Sequence, residues 1–196
     1  MRPLYEAHAG ISEKHQWERS SEWYREIDSL WRKERFRFQA SFSRQDVRTV
    51  KTAQLIREID RSLKAWKENA YTRDGSFEDF CRYVLPYRFA EGTCFDQARD
   101  TFYRRHASIF GDNTKDFREV TDSLHRLYSG LMHNNWAAAS MPIYNAASFE
   151  KVKRGSCDDK AWYNCLMMSA LGMGVAVDFV PEWGNRVGGI AGTAWS

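Results

Sequence analysis

From Glu13 to Ala40 the aromatic residues Trp17, Tyr24, Trp31 and Phe38 recur every seven positions, with Ile27 and Leu30 between them and charged residues in most other places. Such a recurrence is close to two turns of α-helix, so the pattern predicts one amphipathic helix with a single apolar stripe. The run from Asp46 to Glu68 predicts a second helix, with Val47, Ile56, Ile59, Leu63 and Trp66 on its apolar face. Gly75 breaks that run, and Ser76 with Asp79 three residues on forms a capping box. Phe77, Phe80, Cys81 and Val84 follow at helical spacing until Pro86, which makes Cys81 a core residue. A fourth helix is expected over 96–109. A fifth is expected over 114–131, where Phe117, Val120, Leu124, Leu127 and Leu131 step by three and four. The first 135 residues are expected to be mostly α-helical.

The pattern changes after Trp136. Residues 137–155 have weak periodicity and read as a connecting segment. Ser156 and Asp159 then make a second capping box in front of "CDDKAWYNCLMMSALG", and Gly172 suits a helix C-terminus. "VAVDFV", residues 175–180, predicts a strand ended by Pro181, and a glycine-rich stretch leads to a second expected strand at "TAWS".

Composition narrows the class. In 196 residues, 43% are hydrophobic and 15% aromatic, which excludes a disordered chain, while no apolar run reaches the length of a membrane span. Charge is mildly asymmetric: residues 1–75 carry 16 Lys and Arg against 12 Asp and Glu, and the remainder 13 against 14. That imbalance is too small to argue for nucleic acid, and "RKERFRF" is better explained as the solvated and buried faces of one helix. The first ten residues hold no apolar stretch typical of a signal peptide, so the compartment stays open.

Candidate chemistry centres on Cys157. With Ser156 as cap it becomes the first helical residue, where unpaired backbone N–H groups and the positive end of the helix dipole favour a thiolate. Asp158 and Asp159 oppose that effect, and a plainly buried thiol is the alternative. Cys165, on the side of Ala161 and Met168, reads as core. The five histidines, His8, His15, His106, His125 and His133, all precede Cys157, and no pair has metal-ligand spacing. "GDNTKD" lacks the Glu and central Gly of a calcium loop and reads as a helix cap; the glycine motifs lack a phosphate-binding context. Neither a metal nor a cofactor is expected.

The stretch "RGSCDDKAWYNCLMMSALGMGVAVDFVPEWGN", together with "LKAWKENAYTRDGSFEDFCRYVLPYR" upstream, resembles the transglutaminase-like superfamily, in particular the large bacterial, Bacteroidetes-type members. The resemblance covers roughly residues 55–196. It implies an α+β chain: a helical extension over 1–75 and a papain-like core over 76–196, incomplete at its C-terminus, whose nucleophile helix packs on a short antiparallel sheet. It also implies that Cys157 attacks a carbonyl to form a thioester, giving amide hydrolysis or acyl transfer to an amine on a peptide or protein substrate. Relatives are often exported. The family's proton-transferring His falls on Thr193, or on Ile190 in the ungapped alignment, and neither side chain accepts a proton from a thiol. A catalytically inactive module that binds protein, peptide or glycan is therefore the alternative.

Overall fold

The computed structural model describes residues 2–16, 18, 20–33, 46–89, 93, 95, 96, 98–129, 133, 134, 145–152, 154, 155 and 157–178. The helix expected over 13–40 is two helices, α1 (Arg2–Lys14) and α2 (Ser21–Lys33). Gln16 between them takes φ of 50°, in the left-handed region that ends a right-handed helix. Ser20 restarts the chain: its hydroxyl accepts from the Trp23 amide at 3.1 Å, as an N-cap does. The restart resets the buried side, so Trp23 and Ile27 point inward with Ile11 while Tyr24, expected on the stripe, is exposed.

The second expected helix is divided into α3 (Asp46–Thr49) and α4 (Thr52–Glu68). Of the expected apolar face only Trp66 is buried. Glu58, Ser62, Ala65 and Trp66 are buried, while Ile56, Ile59, Leu63 and Val47 face solvent. Beyond the Gly75 turn, Ser76 caps α5 (Phe77–Asp79) as expected, its hydroxyl accepting from the Asp79 amide at 3.0 Å. The helix then widens into a π-turn over Phe80–Val84, closed by the Leu85 amide on the Phe80 carbonyl at 2.9 Å. That wider turn keeps Phe80 and Val84 buried but leaves Cys81 exposed, which corrects its assignment to the core.

Next come α6 (Ala98–His106), extended by a 3₁₀ turn over Ala107–Phe110, and α7 (Phe117–Ser129). Asp116 caps α7 by accepting from the Arg118 amide at 2.8 Å, and Val120, Leu124 and Tyr128 form its buried side while Phe117 and Leu127 remain exposed. The connecting region holds β1 (His133–Asn134), α8 (Ala146–Val152) and β2 (Arg154–Gly155), and α9 (Cys157–Ala170) follows. Residues 161–171 of and just beyond α9 are all buried, as expected of a helix apolar on every side. Phe102, Phe110, Val120, Leu124, Tyr128 and Phe149 surround it, and α4 and α6 pack directly on it.

The α+β, papain-like fold with a short antiparallel sheet is overturned. Among the described residues the architecture is helical, and the strands present are two residues each, β1 pairing parallel with β2. Residues 175–178, expected as a strand, form no ladder. Among the described residues they are held by the Val175 amide, which donates to the Tyr83 carbonyl on the π-turn at 3.1 Å, and by the Cys165 thiol, which donates to the Ala176 carbonyl at 3.8 Å, and Val177 is exposed. β-rich residues become a strand only where a partner edge meets them, and here the chain meets a helix. The second expected strand lies outside the described residues, as do Thr193 and Ile190.

Candidate functional site

The far end of α9 is held tightly. Gly172 has φ of 82°, and the amides of Gly172 and Met173 close on the carbonyls of Ser169 and Met168, each at 3.1 Å, in a Schellman arrangement. The two carbonyls that follow are bound across the core: Asn69 Nδ2 donates to Leu171 O at 2.9 Å and Thr72 Oγ1 to Gly172 O at 2.8 Å. The expected cap at Gly172 is therefore present, and it locks α9 against the end of α4.

At the near end, α9 begins at Cys157, directly after the β2 pair and one residue. The β1–β2 register sets His133 opposite Arg154 and Asn134 opposite Gly155, so the backbone of His133 lies beside the strand that leads into α9. Cys165, two turns further on, is buried as expected. Burial pushes its thiol up to about 11, with the charge of Asp178 adding to the effect, which makes it inert at neutral pH. Cys94 lies outside the described residues.

The other histidines have separate surroundings. His8 and His15 belong to the α1–α2 hairpin, where His15 Nε2 lies 3.0 Å from Glu26 Oε1. His125 is exposed on α7. His106, at the end of α6, bonds through Nε2 to the Tyr128 hydroxyl; burial, then the neighbouring Arg105, lowers its pKa, which keeps it neutral. Beside it Arg105 Nη1 and the Tyr163 hydroxyl both donate to Glu150 Oε1, at 2.7 and 2.8 Å, joining α6, α8 and α9.

A cluster that the sequence pattern missed sits where α4, α6, α9 and the π-turn converge. Arg99, 3% exposed, donates to Ser62 Oγ, to Ser169 Oγ at 2.8 Å, and to the carbonyls of Val84 and Pro86; its Nε lies 3.2 Å from Glu58 Oε2. Ser169 in turn donates to Val84 O at 2.7 Å. Burial lowers the Arg99 pKa to about 10, still charged at neutral pH, and burial raises that of Glu58 against the pull of Arg99 and Arg61. The Nε–H itself makes no hydrogen bond among the described residues, so the contact with Glu58 is an ion pair by proximity, and such a buried pair fixes geometry more than it stabilises.

Glu58 and Arg99 also line a small cleft. Tyr87, Phe95 and Trp162 supply aromatic walls, with Arg88 and Asp96 as the other charged residues. Asp96 caps two helices at once, accepting from the Ala98 amide of α6 at 3.0 Å and the Ala146 amide of α8 at 3.2 Å. Burial raises its pKa, opposed by those two bonds. Asp96 was visible in the sequence as the start of the fourth helix; its second cap joins residues 50 positions apart and has no local signature.

No group of three or more His, Cys, Asp or Glu is placed to hold a metal ion among the described residues. No helix there is long and apolar enough to cross a membrane. Compared with protein-family models, with curated proteins and with solved structures, the chain matches none.

Proposed function

We propose that the chain carries transglutaminase-like acyl chemistry with Cys157 as nucleophile. The observation that supports this reading is the start of α9 at Cys157, on a helix whose opposite end is locked into the core. The first-turn amides of a helix and its positive dipole end favour a thiolate over a thiol. In the reaction the thiolate adds to a side-chain amide carbonyl, the C–S bond forms, and the C–N bond breaks as ammonia leaves. Water or an amine then attacks the thioester and returns the thiol. With Thr193 or Ile190 at the family's His position, proton transfer requires a group from elsewhere in the chain. His133, through its register opposite Arg154, is the histidine whose backbone lies beside the strand leading into α9.

Alkylation by iodoacetamide across pH, with peptide mapping to separate Cys157 from the exposed Cys81, tests the reading. The expected result is a Cys157 phase that titrates below the free-thiol value of about 8.5. A Cys157 that titrates near about 8.5, at the rate of a free thiol, refutes it.

The loss of a proton acceptor at position 193 or 190 favours a second reading, a catalytically silent module that binds a peptide, protein or glycan. Under it Cys157→Ala binds a glutamine-containing peptide as the wild type does. Binding that collapses while the variant stays folded removes this reading.

A further inference from the structure

Phe149 and Glu150 of α8 are fastened to Trp162 and Tyr163 of α9, and the chain between them contains β2 and Cys157. Glu150 Oε1 accepts from the Tyr163 hydroxyl at 2.8 Å. Phe149, fully buried, packs on Tyr163 at 4.9 Å and on Trp162 at 6.2 Å between ring centres. Burial, with the Glu150 charge beside it, raises the Tyr163 pKa far above the ordinary tyrosine value, so the hydroxyl remains a donor. Arg105 of α6 holds the same carboxylate oxygen from another side, donating at 2.7 Å. At its start α8 is capped by Asp96, which accepts from the Ala146 amide at 3.2 Å. A helix of seven residues has little stability of its own, so these contacts decide where it lies. β2 follows α8 closely and lies against both α8 and α9, and its register with β1 sets the backbone of His133 beside the strand leading into α9. Tyr163 lies about 9 Å past Cys157 along the helix axis, so it acts on the cysteine through the chain and not by contact.

We propose that Glu150 and Tyr163 are positioning residues for Cys157: their bond holds α8 on α9, which fixes β2 and with it the first turn of α9. The use made of Cys157 rests on the acyl reading above, whereas the bond's hold on the helix start is tested apart from it. Without the bond the first turn of α9 opens more often, and the N–H groups that favour a thiolate lose their alignment.

Amide hydrogen exchange of the full chain, together with the alkylation of Cys157 across pH, tests the proposal. Tyr163→Phe removes one oxygen and leaves the charges and the rings in place. The amides of Lys160 and Ala161, the first that a helix starting at Cys157 bonds internally, are expected to exchange at least about tenfold faster, a change of about 1.4 kcal/mol. Those of Leu166 and Ala170 keep the wild-type rate. The Cys157 midpoint rises toward the free-thiol value of about 8.5. Glu150→Ala removes the same bond from the other partner and serves where Tyr163→Phe fails to fold, while Glu150→Gln keeps an acceptor oxygen and is expected to restore most of the protection. Unchanged exchange at Lys160 and Ala161 in a folded variant overturns the proposal. So does faster exchange with a Cys157 midpoint that stays at a lowered wild-type value, which makes the bond structural only. A wild-type midpoint near about 8.5 removes the acyl reading instead, and exchange alone then decides whether the bond holds the helix start.

Discussion

Gly172→Ala tests whether the C-terminus of α9 is fixed by close contact with α4. A residue other than glycine at φ of 82° is disfavoured by roughly 1–2 kcal/mol. In addition, an added Cβ would lie 2.5 Å from the Ala65 carbonyl carbon and 2.7 Å from the Trp66 amide nitrogen. Those atoms belong to the backbone of a helix and cannot swing aside, so the end of α9 must move. Movement stretches the bonds from Asn69 Nδ2 to Leu171 O and from Thr72 Oγ1 to Gly172 O, each contributing about 1 kcal/mol. Together these give a loss of about 3–4 kcal/mol, a large part of the stability of an ordinary domain. Urea unfolding followed by far-UV circular dichroism measures it, with Gly174→Ala as comparison. There a Cβ would meet only Tyr83 Cβ, at 3.2 Å, and a loss under about 1 kcal/mol is expected. A Gly172→Ala midpoint equal to that of Gly174→Ala, with unchanged denaturant slope, would refute the reasoning.

Arg99→Met leaves Glu58 buried without its cation and the carbonyls of Val84 and Pro86 without their donor, so a loss of about 3–5 kcal/mol is expected in the same urea assay. Adding Glu58→Leu should recover part of it, and a double variant less stable than the single one speaks against the pair. His8, 1% exposed beside Ser12 and Trp23, has its pKa lowered from 6.5 to about 4 by burial, so the folded hairpin holds it neutral. Its contribution is full above pH 6.5 and is lost as pH falls toward 4, by no more than about 3 kcal/mol. The Trp23 indole signal reports the hairpin, and the difference between wild type and His8→Leu isolates the histidine from Glu58 and Asp96, whose raised pKa values act in the opposite direction. No difference in pH slope between the two proteins removes the assignment.

What was legible in the sequence was local chemistry. Ser76, Asp116 and Gly172 each end or begin a helix through a bond to a residue at most five positions away, and each is found where its residue type places it. The split near Gln16 was illegible for the same reason turned round: Trp17, Tyr24 and Trp31 continue a helical period straight through the break, and nothing in that period marks a left-handed residue. The candidate site divides in the same way. The start of α9 falls at Cys157 as expected, the expected Ser156 cap lying outside the described residues, whereas the cleft is assembled from α4, α6, α9 and the segment after the π-turn.

The reversed face of α4 shows what periodicity leaves out. Ile56, Ile59 and Leu63 define an apolar side, but burial is decided by what the neighbouring elements bring to the contact. Pro86 ends a π-turn, and the carbonyls of Val84 and Pro86 are left inside the protein without helical partners. A buried carbonyl without a donor costs about 1–3 kcal/mol, comparable to the gain from burying one aliphatic side chain. Arg99 turns inward from α6 to supply the donors, and its charge then requires an acid at the same place. Glu58 provides that acid and Ser62 takes a further guanidinium hydrogen, both from the polar side of α4. Once that side faces in, Ile59 and Leu63, each one residue past an inward-facing polar one, face out. The exposed apolar stripe is therefore the consequence of the π-turn two elements later in the chain, a dependence that no window along α4 contains.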